Sequence, residues 1–485
     1  MKFGKTTGIS SGFKRTSYKA GQRRSQTARK RQTHLTRFRE RFLKTLLPIA
    51  VIVVFIGFYG LISLIPKVAF SHDRKSAAEY RGYTCPQFDE TGIPTSQYPL
   101  SYSPNYMNSI HAQLQNKANL VSNADLKELS EDASHPSNFF ISSSDPDVTY
   151  AYGNEDSQRY LHVAATNISQ IKPSWIMQSI PVLPKQTYGY SFEYRSTAES
   201  EITLEVTSDN GTVSYVGLDH LLPSEGWASI SGHLSTDSST QSIRVIVSLL
   251  NTGSLDTRAY QISQIASAQL SHPIISFAFD DGWESVYTKA YPALKQYGYT
   301  ASVFVITKYS VESTPQYMNV EQLKTLQNDG YEIGSHSLKH CNLTELNSTD
   351  LAYDMETSKN LLQKAGLSVD SFAHPFGKYS EATVAEAAQN FTYIRSSDSG
   401  LNDRYFDPHH IRVQTVLADT SEETVRAWIE AAKSDNAWLI LLYHRFDESG
   451  EYSTATDQLQ SHLTMIKSSG IEVLPIAQAA RSIEQ

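Results

Sequence analysis

Cysteine is nearly missing from this chain of 485 residues: there are two, Cys85 and Cys341. At most one intramolecular disulfide can form, and a cysteine-stapled scaffold is excluded. Nothing in the sequence shows whether the two meet. Charged residues are also sparse, at 19% against 40% hydrophobic. That balance belongs to a globular protein, long enough for two or three domains with cores of their own. Acids are almost absent from the first 44 residues, which hold fourteen Lys and Arg against Glu40 alone. The remainder holds 28 bases against 49 acids, a net charge of −21, so the two parts face different environments. Between them, residues 45–66 (TLLPIAVIVVFIGFYGLISLIP) carry no charge at all. At about 1.5 Å per residue such a helix crosses a hydrocarbon core of roughly 30 Å. No small-x-small cleavage site follows it, so the expectation is an uncleaved single-pass anchor, with a late-cleaved signal as the alternative. The basic segment then stays cytoplasmic and the chain from about residue 67 lies outside. Rich in Ser, Thr, Gln and Gly and without an apolar period, residues 1–44 read as a disordered, topology-setting tail rather than a nucleic-acid-binding or lipid-binding element. No nucleic acid and no protein partner is expected, and no internal repeat is visible.

Residues 67–146 are polar and bear Ser, Asn and Pro, with scattered helical character from Met107 to Leu129; they read as a juxtamembrane stalk. Over 147–270 the texture becomes short alternating segments at Tyr188–Tyr194, Glu201–Thr207, Val213–Leu218, Ala228–Leu234, Ser242–Leu249 and Arg258–Ile265. Turn signals such as Asp209-Asn210-Gly211 separate them, which predicts an antiparallel β-sandwich. Its pattern resembles carbohydrate-binding sandwich modules, in which Tyr190 or Trp227 could stack on a sugar; the competing expectation is that both rings are core. Over 271–485 strand and helix alternate. Strands are expected at Ile275–Phe279, Ala301–Ile306, Glu332–Ser335, Ser371–Ala373, Tyr393–Arg395, Trp438–Tyr443 and Glu472–Ile476, with helices between several of them. Such alternation means a parallel sheet, open or closed into a barrel.

Four stretches of this last region carry chemistry. The apolar run Ile274–Phe279 ends in Asp280-Asp281-Gly282-Trp283. Two adjacent carboxylates cannot cheaply share a partly buried site as free anions, so one calls for a compensating charge, most simply a metal, and the other is left as a base. Gly334-Ser335-His336-Ser337-Leu338-Lys339-His340 presents two histidines four residues apart, expected on one face of a helical turn, where both rings reach one ion. With a carboxylate they form a set that leaves coordination positions open. Ala373-His374-Pro375-Phe376-Gly377 can fix a backbone amide toward an oxyanion. Leu439–Tyr443 delivers His444, a candidate general acid.

In this order and spacing, F-D-D-G, H-S-x-x-H, P-F-G and L-x-H resemble the polysaccharide deacetylase family, carbohydrate esterase family four, from Pro273 to near the C-terminus. The resemblance implies a distorted (β/α) barrel preceded by the all-β sandwich and the transmembrane helix. It also implies a metal-dependent site that removes acetyl groups from N-acetylated sugars. Asp281, His336 and His340 would hold a divalent metal, zinc first and cobalt, nickel, manganese or iron as alternatives. Asp280 would be the base, His444 the acid, and the Phe376 amide part of the oxyanion hole. The substrate would be an N-acetylated polysaccharide, peptidoglycan or an exopolysaccharide.

Two departures qualify that match. The family's arginine two residues before the motif proline is Ala373 here, with Arg395 or Lys378 as replacements for the missing charge. The family's aspartate that orients the acid histidine has no clear counterpart, with Asp398 and Asp403 as candidates. These gaps support a second class of function, a glycan-binding or adhesion protein on the same fold with weak or no turnover.

Overall fold

Continuous apolar runs and alternating ones bury differently, and the two halves of the folded region divide along that line. The computed structural model describes Cys85, residues 104–168 and residues 171–484. The expected tail and membrane anchor, residues 1–66, lie outside the described residues; among those described, no helix is long and apolar enough to cross a membrane.

The alternating segments form two antiparallel sheets. One holds Phe139–Ile141, Ser174–Met177, Thr240–Leu249, Ser200–Ser208 and Val213–Leu221 in that spatial order, with Ile180–Pro181 beside Thr240–Leu249. The other holds Val148–Glu155, Gln158–Ala165, Gly253–Gln264, Thr187–Ser196 and Ser224–Ser235. Inward residues of both, among them Tyr190, Phe192, Ile202, Leu204, Val245 and Val247, make one core. The stalk expected over 67–146 is corrected in its described part. Strand Phe139–Ile141 joins the first sheet, and the helix Pro104–Leu114 inserts Ile110 and Leu114 beside Ile265, Ala268 and Tyr405. Tyr190 is core, 4% exposed. Trp227 lies half-buried instead, its ring under the guanidinium groups of Arg258 and Arg195 at 3.8 and 4.7 Å.

The second half is a closed barrel of seven parallel strands: β1 (Ile274–Phe279), β2 (Ser302–Val305), β3 (Glu332–Ser335), β4 (Ser371–Ala373), β5 (Tyr393–Ser399), β6 (Ile411–Thr415) and β7 (Trp438–Tyr443). They neighbour in this order and β7 closes on β1; β8 (Glu472–Val473) adds outside, beside β1. Because β1 and β7 are buried on both faces, β7 reads as an unbroken apolar run and β1 as one interrupted only by Ser276. The single polar residue of β1, Ser276, accepts from the Trp438 indole at 2.8 Å and donates to the Leu474 carbonyl at 2.6 Å, which satisfies a group that would otherwise be costly inside a barrel. Ala278, Phe304, Ala373, Ile411, Ile440 and Leu442 cluster with Ile476, Ala477, Ala479 and Ala480 of the last helix, Ile476–Glu484. A second cluster joins the outer strand faces to the surrounding helices. All four motif stretches therefore end on the carboxyl rim of one barrel.

Candidate active site

The rim brings the expected residues together. Asp281 Oδ1 lies 3.6 Å from His336 Nε2 and 3.3 Å from His340 Nε2. One ligand atom from each of the three falls within 4.8 Å of the others, the only such cluster of three or more His, Cys, Asp or Glu among the described residues. His336 donates from Nδ1 to the Ala373 carbonyl at 2.8 Å, so its Nε2 carries the free lone pair and faces the carboxylate. Burial, then the neighbouring His336, pushes the His340 imidazole down to about 4, so it is neutral and able to donate a lone pair at neutral pH. Two imidazole nitrogens and one carboxylate oxygen are a donor set suited to a divalent transition ion.

The histidine segment is not the helical turn expected. Ser337 and His340 hold φ of 67° and 61°, and the two rings meet, centroids 4.9 Å apart, through a loop. Five of the bonds that hold it are these: Ser337 Oγ accepts from the His340 amide at 2.8 Å, Asp354 from the Leu338 amide at 3.0 Å, the Val305 carbonyl from the His336 amide at 2.9 Å, and the Ser337 and Leu338 carbonyls from the Thr307 and Lys308 amides at 3.1 and 3.0 Å.

Asp280 is 3% exposed, and its amide donates to the Tyr443 carbonyl at 3.0 Å, which ties it to the strand that delivers His444. Its carboxylate is gripped at both oxygens by Nη2 of Arg395, which is itself 1% exposed. Burial alone would push this carboxyl up; the Arg395 guanidinium, with the His336 and His444 rings beside it, holds it below the usual range. Arg395 is thus the residue that supplies the charge absent at Ala373. The two are register partners on neighbouring strands β4 and β5.

His444 comes to the rim as expected, but its buried Nδ1 has no partner among the described residues. Neither proposed orienting carboxylate reaches it. Asp398 accepts from the Tyr379 hydroxyl at 2.6 Å and pairs with His410 at 2.6 Å. Asp403 pairs with His233 of the sandwich at 2.7 Å. Burial pushes the His444 imidazole down; Asp280 and Asp281 pull against it without winning. Phe376 has φ of 59°, and its ring, 37% exposed, lies 4.3 Å from the His340 ring, centroid to centroid. Tyr452 flanks His444 at 4.7 Å.

Two features were not anticipated. Cys85 and Cys341 form a disulfide across 256 residues, directly after His340. Trp283 donates from Nε1 to Asp281 Oδ2 at 2.8 Å. The sequence signal for the second was present: an aromatic N–H donor two residues after a carboxylate, across a glycine.

Comparison with known proteins finds similarity over part of the chain. A family model described as Polysaccharide deacetylase matches residues 267–393. YxkH of Bacillus subtilis (strain 168), provisionally named a polysaccharide deacetylase, is 28% identical over 173 residues, 34% of this chain and 58% of that protein. A peptidoglycan-N-acetylglucosamine deacetylase of Bacillus cereus is 27% identical over 126 residues, 25% of this chain and 44% of that protein. The chain thus spans about half the length of these relatives. Among solved structures, the Xyl-CE4 domain of a multidomain xylanase from the hindgut metagenome of Trinervitermes trinervoides aligns at 18% identity, covering 44% of this chain and 91% of that one, with a TM-score of 0.33.

Proposed function

We propose that the barrel is a metal-dependent deacetylase that removes N-acetyl groups from a GlcNAc-containing polysaccharide outside the cytoplasm, either peptidoglycan or an exopolysaccharide. The observation that carries this reading is the convergence of Asp280, Asp281, His336, His340 and His444 on one barrel rim, with Asp280 kept anionic by Arg395. The family match over residues 267–393 supports the same reaction class. A location outside the cytoplasm is supported by the charge-free residues 45–66 after a basic segment, and by a disulfide, a bond that persists in oxidising compartments.

Asp281, His336 and His340 would hold a divalent ion, zinc first. When bound, that ion supplies Lewis acidity toward the acetyl carbonyl oxygen and the attacking water. Asp280 takes a proton from the water as its oxygen attacks the acetyl carbon. The Phe376 amide donates to the oxyanion. As the C–N bond breaks, protonated His444 gives a proton to the leaving nitrogen. Acetate and a free sugar amine result. Acetyl ester removal uses the same groups and remains open to this site.

The test is acetate release by the purified protein from acetylated glucosamine oligomers and from cell-wall glycan, with chelator and with added zinc. Metal-dependent release that Asp280→Asn abolishes is expected. The second reading, a glycan-binding protein with weak or no turnover, is favoured by the unpartnered Nδ1 of His444. It requires no acetate from any substrate, with glycan binding unchanged by Asp280→Asn.

A further inference from the structure

Asp281 presents two oxygens, and they have different neighbours. Oδ1 faces His336 and His340, whereas Oδ2 accepts the indole N–H of Trp283 at 2.8 Å. We propose that Trp283 is the positioning residue of the metal site: it occupies Oδ2 so that Asp281 offers a single oxygen to the ion. This rests on the metal-site reading above and goes beyond it, since it assigns a role to a residue outside the ligand and acid–base set.

The local backbone explains how an indole two residues along reaches back to the carboxylate. Asp281 and Gly282 both take left-handed conformations, φ 69° and 79°, which reverse the chain immediately after the carboxylate. A Cβ at Gly282 would come within 2.9 Å of the Val305 side chain, so the turn also requires glycine for space. The reversed segment is then pinned on both sides. The Met318 amide donates to the Gly282 carbonyl at 2.8 Å, and the Glu284 amide to the Gln316 carbonyl at 2.7 Å. The Trp283 ring stacks on Tyr317, centroids 4.6 Å apart and planes 23° apart. The Arg445 guanidinium lies over the indole at 5.4 Å, and Arg445 is itself held by the Ser449 carbonyl at 2.8 Å. The ring therefore cannot swing away from Oδ2 without breaking a stack and a cation–π contact.

Two consequences follow for the site. A carboxylate with one oxygen already committed to a donor is fixed in rotation about χ2, so Oδ1 is held where the two imidazoles need it. Its second oxygen is also withheld, which keeps coordination positions open for water and the acetyl group. Arg445 follows His444 in the chain, so the contact Arg445–Trp283–Asp281 joins the acid's strand end to the ligand's strand end.

The decisive variant is Trp283→Phe, which keeps a six-membered aromatic ring for Tyr317 and Arg445 and removes the N–H together with the rest of the five-membered ring. Zinc affinity is read by competition with a chromophoric chelator on the full chain, alongside thermal unfolding of the metal-free protein. The expected result is a ten- to hundred-fold weaker zinc affinity, the usual cost of losing an outer-shell partner, with the metal-free melting temperature little changed. Equal zinc affinity in a folded variant overturns the proposal, as does a loss of melting temperature with affinity unchanged. If the variant does not fold, fluorotryptophan labelling of the wild type decides. The chain has five tryptophans, and one ¹⁹F resonance should move on zinc addition; no response overturns the assignment. Wild-type protein that binds no zinc at all would instead overturn the metal-site reading itself.

Discussion

Removing the Arg395 guanidinium tests the heart of the site. Arg395→Met keeps most of the side-chain stem and deletes the charge beside Asp280. Both partners are almost fully buried, so the substitution leaves an uncompensated carboxylate in a low-dielectric setting. Breaking one side of a buried ion pair costs about 3–5 kcal/mol, a large part of a typical total stability of about 5–15 kcal/mol. The pH dependence gives the more specific signature. In the wild type the folded pKa of Asp280 lies below its unfolded value of about 3.9. Its contribution is therefore complete above about pH 3.9 and is lost as pH falls through the lower folded value. In the variant the largest opposing cation is gone, burial dominates, and the folded pKa rises above the unfolded one. Stability should then fall as pH rises past about 4, at up to about 1.4 kcal/mol per pH unit, until the carboxyl ionises in the folded state. Urea unfolding of metal-free protein at a series of pH values between 4.5 and 7.5 measures this. A variant that loses less than about 1 kcal/mol at pH 7.5, or the same amount at every pH, would refute the claim that Arg395 holds Asp280 anionic. In the activity assay the same variant should show an acid limb of kcat/KM moved to higher pH, because its base is protonated over a wider range.

Reduction of Cys85–Cys341 opens a crosslink across 256 residues, for which chain entropy sets an upper estimate of about 5 kcal/mol of lost stability; denaturant melts with and without a phosphine reductant measure it, and hydrogen exchange at residues 336–343 should rise. His462 is fully buried, bonded at Nδ1 to the Tyr443 hydroxyl, and pushed down by burial to about 4. Its unfolded form binds a proton from about pH 6.5 downward, so it contributes stability that is complete above that value and is lost at up to about 1.4 kcal/mol per pH unit as pH falls toward 4; His462→Gln should flatten that part of the melting-temperature profile. His444 is also pushed down, so the protonated acid becomes scarce above a pH lower than the ordinary imidazole value of about 6.5. The alkaline limb of kcat/KM is therefore expected below that pH, and a limb well above it would show that the free-enzyme form of His444 does not govern proton donation.

What could be read from the sequence followed from local pattern. The apolar runs of β1 and β7 and the β/α alternation after residue 273 predicted a parallel sheet, and each motif stretch at a strand end predicted one rim. The sandwich was legible wherever alternation was clean, as in Tyr188–Tyr194. It was missed in the hairpin Val148–Ala165, whose two-residue turn, Asp156-Ser157, has positive φ at both positions without a glycine to announce it. Pairing between distant residues was the other gap. That Arg395 stands opposite Ala373 depends on the register of β4 and β5, that Asp403 meets His233 depends on how sandwich and barrel loops meet, and that Cys85 reaches Cys341 depends on the path of a long chain. None of these has a local signature.

Backbone strain is unevenly distributed within the rim. Asp281, Ser337, His340 and Phe376 are all non-glycine residues in the left-handed region, which costs of order 1–3 kcal/mol each. Asp280 and His444 are not among the positive-φ residues. Two of the three residues proposed as ligands, the loop between the histidines and the residue whose amide would meet an oxyanion are thus strained, whereas His336 is not among the positive-φ residues. Bonds brace these segments, such as the Ile306 amide to the Asp281 carbonyl at 3.3 Å and, within the Phe376 turn, the Gly377 amide to the His374 carbonyl at 3.1 Å. The two residues proposed to move a proton sit instead on strand ends without positive φ. There side-chain partners rather than backbone geometry set their behaviour: Arg395 for Asp280, and for His444 no partner at Nδ1 among the described residues. By this logic the ligand positions should tolerate little change of any kind. His444 is the place where adding a carboxylate neighbour would raise the imidazole pKa and with it the supply of acid at neutral pH.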